Sequence, residues 1–260
     1  MEKLPAGTGW LWIKQGFALY RKQPGALTLL FLLYAMLNLL LGVIPLLGQV
    51  AAVVLIPVFS VAFMQACAHI DQGKRVMPAL LSTGFQKPAF PNLLALGLLY
   101  LVVATLAIGL SALVDQGAFL KLMTGQLEPN SREAREANLG GAFLLTMLIC
   151  LPAAMGFCFS APLIYWQRMS IGKAIFFSFF SVLRTLKSFI VFALSLFGLT
   201  ILSSQLVLLL FGRSEIAFTM LMPLSMLLSV LMHCSFYASY RQIFGVPGAA
   251  QDASSAPEAE

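Results

Sequence analysis

The stretch QPGALTLLFLLYAMLNLLLGVIPLLGQVAAVVLIPVFSVAFMQACAHI (Gln23–Ile70) contains no Asp, Glu, Lys or Arg. Arg21-Lys22 bounds it on one side and Asp71, Lys74 and Arg75 on the other. A helix crosses the hydrocarbon core of a bilayer in about 20 residues, so this run is too long for one span and right for two. The break falls inside IPLLGQ (Ile44–Gln49), where Pro45 and Gly48 supply turn chemistry. The run is therefore a tight helical hairpin with both ends on one side of a membrane. Its first half carries 12 Leu, Ile, Val and Phe residues between Gly25 and Ile44. At about −0.3 to −0.6 kcal/mol each for central positions, their insertion outweighs the single Asn38.

The same pattern extends outward. The chain of 260 residues is 60% hydrophobic and only 10% charged, with a mean hydropathy of +0.90. Soluble domains carry roughly a quarter charged residues. The sequence reads as an all-α polytopic membrane protein with a single transmembrane domain over 1–245 and a polar, disordered cytoplasmic tail over 246–260. Six spans are expected, at about 26–43, 49–70, 91–114, 138–166, 189–211 and 216–240. Residues 1–24 lack an apolar signal core and a small-residue cleavage site, so the first span is expected to act as an uncleaved insertion signal. In the polar loop 115–136, Asn130 with Glu133 three residues later resembles a capping box leading into the fourth span.

A repeat is expected as well. Trp10, Ile13, Phe17 and Tyr20 recur at helical spacing, with Lys14, Arg21 and Lys22 elsewhere on the wheel. That predicts an amphipathic helix lying in the membrane interface, aromatic side down. Met77, Leu80, Leu81 and Phe85 after Lys74-Arg75 predict a second such helix. Ile175, Phe176, Phe179, Phe180 and Leu183, flanked by Lys173 and Arg184, predict a third. Three hairpins, each preceded by an interfacial amphipathic helix, would give a pseudo-threefold bundle. All mid-span prolines (Pro57, Pro152, Pro162, Pro223) fall in spans 2, 4 and 6. Proline frees a backbone carbonyl that lipid cannot satisfy, so these spans are expected to line the interior.

The formal charge is +6, yet the basic residues sit beside span ends rather than in a nucleic-acid-binding stripe. With a cytoplasmic amino terminus, 12 of the 16 Lys and Arg fall on the inside. The positive-inside rule then places both termini in the cytoplasm. Lys14, Arg21, Lys22, Lys74, Arg75 and Lys173 are the expected contacts to lipid headgroups of the anionic inner leaflet. Membrane lipids are the expected partners, alongside an unidentified membrane protein, and nucleic acid is not.

No charged residue falls inside the six spans, which weighs against proton-coupled carriers, pumps and voltage sensors. Cys67, His69, His233 and Cys234 are the weak candidates for a metal site, but their spacing matches no strong zinc or copper signature. All four cysteines (Cys67, Cys150, Cys158, Cys234) lie in apolar segments and read as buried thiols. Asn38, Gln49, Gln65, Ser160, Ser203, Ser204 and Gln205 read as interhelical hydrogen-bond partners, and Tyr165, Trp166, Tyr237 and Tyr240 as an aromatic belt. No catalytic motif is present, so no catalytic residue, resident metal or cofactor is expected, and the chain is not read as an enzyme.

The opening GWLWIKQGFALYRKQPG (Gly9–Gly25), followed by IPLLGQ (Ile44–Gln49), resembles a family of uncharacterised Gram-negative six-span inner-membrane proteins. More loosely, the architecture of amphipathic helix plus hairpin resembles the membrane domain of some glycerophosphodiester phosphodiesterases. The first resemblance implies location and topology. The second transfers no catalytic residue, because the acidic metal-binding domain of those enzymes is missing. The expected role is a non-enzymatic scaffold or helper in an envelope or lipid-related process. The alternative is a carrier for a neutral or lipid-like solute, using a cavity between spans 2, 4 and 6.

Overall fold

In lipid, a charge-free apolar chain can satisfy its own backbone N–H and C=O groups locally only by coiling into a helix. The computed structural model describes residues 4–128, 131, 137–212 and 214–247, and among these all regular secondary structure is helical. Helix α1 (Thr8–Lys22) leads into α2 (Pro24–Gly42). After the turn come α3 (Leu47–Val54), α4 (Ile56–Asp71) and a short 3-10 helix (Pro78–Phe85). Then follow α5 (Phe90–Asp115), α6 (Ala118–Met123), α7 (Leu139–Phe157) and α8 (Ser160–Gln167). Helices α9 (Ile171–Arg184), α10 (Leu186–Phe211) and α11 (Glu215–Phe244) complete the order.

Among the described residues five stretches are long and apolar enough to cross a membrane: α2, α5, α7 with α8, α10 and α11. A sixth span arises if α3 and α4, bent by 44° at their junction, are counted together. Chemistry at the ends accounts for the boundaries. Proline opens α2, α4 and α5 within the first two positions, where its missing N–H costs nothing. Asn138 and Ser214 cap α7 and α11 by accepting from the N–H of Gly141 (3.0 Å) and Ala217 (3.3 Å). The expected capping box at Asn130–Glu133 and the tail from Gly248 lie outside the described residues.

Both broken spans have a local cause. Pro57 lacks the N–H that would bond the preceding turn, and the α3–α4 junction lies at Leu55, just before it. Between α7 and α8 the Ser178 hydroxyl of α9 enters the gap. It accepts from the Phe159 N–H (2.9 Å) and donates to the Met155 carbonyl (2.8 Å). Backbone groups freed by the break are thereby satisfied from a neighbouring helix.

One end of the bundle is tied together and the other is splayed. The tied end collects most of the described basic residues and both described termini. There Trp12 Nε1 donates to Gln242 Oε1 (2.6 Å), Trp166 Nε1 to Gln65 Oε1 (2.8 Å), and Gln167 Nε2 to the Tyr240 hydroxyl (3.3 Å). Gln23 braces the loop after α4 by donating to the Lys74 carbonyl and accepting from the Val76 N–H. At the far end Leu39, Leu46, Leu113 and Leu209 are 73%, 72%, 81% and 82% exposed, the condition of side chains that meet lipid tails.

Several expectations need correction. The interior is built on one helix: α4 is buried along most of its length, from Pro57 through Cys67 to Ile70. Pro162 is buried, but Pro152 and Pro223 are exposed within continuous helices, so proline does not mark an interior threefold. Where proline breaks a span it is buried, and where the helix continues through it, lipid-facing exposure is tolerated. The second elbow is the 3-10 helix Pro78–Phe85 rather than an amphipathic α-helix. Helix α1 also presents a different face. Trp12, Ile13 and Leu19 turn into the bundle, whereas Trp10 and Phe17 face outward with Lys14 and Arg21 over their rings at 6.0 Å.

Docking of α1 depends on two glycines. A Cβ on Gly16 would collide with the backbone of Ser235 in α11, and one on Gly9 with the Ser188 carbonyl in α10. Small residues let helix backbones approach closely where there is little hydrophobic drive between helices.

Candidate functional site

Just above the tied end, the helices enclose an apolar cavity of about 640 Å³. Tyr34 and Tyr100, each about three turns into α2 and α5, put it near mid-height. Its wall is aromatic: Phe59, Phe63, Phe157, Phe189, Phe192 and Phe236 join the two tyrosines. No charged residue lines it. The floor is the packed core beneath, where Cys67, Phe159, Cys234 and Tyr237 are at most 1% exposed. Ile56, Ala154, Ala193 and Met232 are exposed on the lining, so the opening is rimmed by apolar side chains.

Five polar groups interrupt this wall: the His233 ring, the Tyr34 and Ser60 hydroxyls, the Cys158 thiol, and the Tyr100 hydroxyl, which donates to the Phe157 carbonyl (3.2 Å). His233 shares its Nδ1 with the Ser229 carbonyl at 2.8 Å, and its ring lies 4.5 Å from that of Phe63. Since a carbonyl only accepts, a neutral His233 carries its proton on Nδ1 and keeps Nε2 as an acceptor. The hydroxyls of Tyr34 and Ser60 make no hydrogen bond to another described residue. A hydroxyl without a partner in apolar surroundings is costly, and a bound ester or hydroxyl would relieve it. Volumes of roughly 300–1,000 Å³ with a few placed polar groups are typical of small-molecule sites.

The weak metal candidates divide among three places. Cys67 and Cys234 meet, with sulfurs 3.7 Å apart in the floor. His233 lies on the cavity wall, and His69 sits at the end of α4 beside the loop to Lys74. Among the described residues no group of three His, Cys, Asp or Glu is placed to hold a metal ion. Lys14, Arg21, Lys22, Lys74, Arg75 and Lys173 are all exposed at or beside the tied end. Gln65 does bridge helices, through Trp166, whereas Asn38 and Ser203 bond carbonyls of their own helices and Ser160 bonds the Gly156 carbonyl across the α7–α8 break. Tyr237 and Tyr240 are 1% exposed and belong to the core rather than to an aromatic belt.

The sequence reading missed an ion pair. Asp71, the last residue of α4, receives Arg241 Nη1 on both carboxylate oxygens at 2.7 and 2.8 Å, and the Tyr237 hydroxyl at 3.2 Å. The partners lie 170 residues apart, and no spacing rule connects them. Their placement at the C-terminal ends of two spans that both run toward the tied end was the available signal.

A probable inner membrane protein of Burkholderia thailandensis is 36% identical to the chain over 264 residues, covering 95% of each. No family model and no solved structure matches the chain. The likeness to the membrane domain of glycerophosphodiester phosphodiesterases gains nothing from these comparisons. Several membrane-length apolar helices accompany the match, and at that identity and coverage the chain belongs to this family of inner-membrane proteins.

Proposed function

We propose that the protein is a non-enzymatic inner-membrane helper in a lipid-related envelope process, and that its cavity holds the acyl chain of a membrane lipid. The cavity carries this reading. It is apolar, rimmed by apolar side chains, closed below by packed aromatics, and furnished with hydroxyls that an ester could engage. Both termini are cytoplasmic in this proposal, which the distribution of Lys and Arg supports. The basic elbows with Lys14, Arg21 and Lys22, with Lys74 and Arg75, and with Lys173 then rest on anionic headgroups. The outward Trp10–Lys14–Phe17–Arg21 stripe suits that position, because aromatic rings and cations both favour the headgroup layer.

Photolabelling tests the reading. A phospholipid bearing a diazirine near its acyl terminus should label α4 and α11 around Phe63 and Met232. Labels confined to the far-end surface of α2, α5 and α10 would remove it.

One observation favours a second reading, a carrier for a lipid-like solute. The bent α3–α4 span and the α7–α8 interruption both border the cavity, at Ile56 and at Cys158, and broken helices at mid-membrane are a recurrent feature of carriers. Dithionite quenching of fluorescent lipids in proteoliposomes separates the two: the carrier reading requires exchange between leaflets, and the holding reading requires none.

A further inference from the structure

At the tied end, outside the packed floor, lies a second pocket of about 480 Å³ with a different character. Gln65 and Gln72 come from α4 and the residue after it, Gln86 and Lys87 from the elbow, Asn92 from the start of α5, and Arg168 from the end of α8. Two cations and four amides face it without a carboxylate. Neither Lys87 nor Arg168 forms an ion pair among the described residues. The side-chain amides of Gln72, Gln86 and Asn92 make no hydrogen bond to another described residue. Gln65 spends its oxygen on Trp166, which leaves its NH2 donors available.

We propose that this pocket binds a phosphate-bearing anion. The donor set selects that chemistry: a guanidinium, an ammonium and four carboxamide NH2 groups supply many N–H bonds. A phosphate, with three or four acceptor oxygens, can use them, whereas a carboxylate has two. Arg168 adds an independent argument. It ends α8 with φ at 49°, in the left-handed region where glycine or asparagine sits without strain. An arginine there carries backbone strain, and strained backbone of this kind gathers at binding sites. The site is separate from the six exposed elbow cations, whose attraction to anionic lipid needs no pocket, and it does not depend on the acyl-chain cavity.

The phosphate can belong to a soluble ion or to a lipid headgroup. The full chain in maltoside micelles, which contain no phosphate, distinguishes these sources. Inorganic phosphate is titrated by calorimetry. Phosphatidylglycerol retention, relative to diacylglycerol of the same chains, is read by native mass spectrometry. Arg168→Gly keeps the left-handed backbone while removing the charge, and Lys87→Gln removes the ammonium. The pair of substitutions should weaken binding of phosphate, of phosphatidylglycerol or of both by at least tenfold, while Lys187→Gln, at an exposed lysine outside the pocket, leaves it within twofold. Saturable binding of inorganic phosphate assigns the site to the free ion, and selective loss of phosphatidylglycerol alone assigns it to a headgroup. The proposal is overturned if neither probe binds. Equal binding by the Arg168→Gly/Lys87→Gln protein, or equal loss in the Lys187→Gln control, overturns it as well.

Discussion

Trp12 joins the two ends of the chain. Its ring is fully buried, packs on Phe189 (5.1 Å) and Phe192 (5.9 Å), and its Nε1 reaches Gln242. Trp12→Ala should cost about 3–5 kcal/mol, the range for deleting a buried aromatic. The expected signs are a lower thermal midpoint in detergent and early proteolytic release of α1. Asp71 is more delicate, because removing only its partner strands a carboxylate at the edge of the core. Arg241→Ala should destabilise by about 2 kcal/mol, as for hydrogen bonds to charged groups. Asp71→Asn/Arg241→Ala together should recover part of that loss in the same thermal measurement. Neither role was legible in the sequence. Trp12 stands in a wheel where Trp10 and Phe17 look equally apolar, and only the glycines at 9 and 16 hint at which face docks. Asp71 and Arg241 look like ordinary solvated charges at span ends until the fold brings those ends together.

The elements were the most legible level. Expected spans at 26–43 and 91–114 stand beside α2 at Pro24–Gly42 and α5 at Phe90–Asp115. Charge-free length and terminal prolines are local signals, and the membrane enforces them. Interior breaks were less legible. Whether a proline breaks a helix depends on neighbours that fill the gap, as Ser178 does, and sequence spacing does not report them. The second elbow has helix-like apolar spacing, yet its eight residues close as a 3-10 helix. Helix assignment left helix contact open, and the Cys67–Cys234 approach tests that contact. In a Cys150→Ala/Cys158→Ala protein, copper-phenanthroline oxidation should join α4 to α11 by an intramolecular disulfide. The product would be two hydrogens lighter, and tryptic peptides carrying the two cysteines would be linked. Thiols that remain free after full access of oxidant would place α4 and α11 farther apart than described.

For the whole molecule, the sequence supports a membrane bundle but not its shape. Hydropathy treats every apolar face alike, so it does not reveal that the helices close at the basic end, splay at the other, and leave a cavity at mid-height. That form depends on side-chain volume at distant positions: aromatics in the floor, Ala154 and Ala193 at the rim. Orientation is a separate matter and belongs to the charge distribution. With native cysteines replaced, Lys74→Cys and Lys173→Cys should react with an impermeant maleimide only from the cytoplasmic side. Labelling from the periplasm would invert the topology and move the cavity's opening relative to the two leaflets.

The cavity itself is examined most directly by blocking it. Ala154→Phe and Ala193→Phe fill the rim without touching the floor or the tied end. Native mass spectrometry of the full chain should show a phospholipid retained by the unaltered protein and lost from the double variant at an unchanged thermal midpoint. Equal retention by both proteins would mean that the lipid, if any, sits elsewhere and that the cavity does not hold an acyl chain.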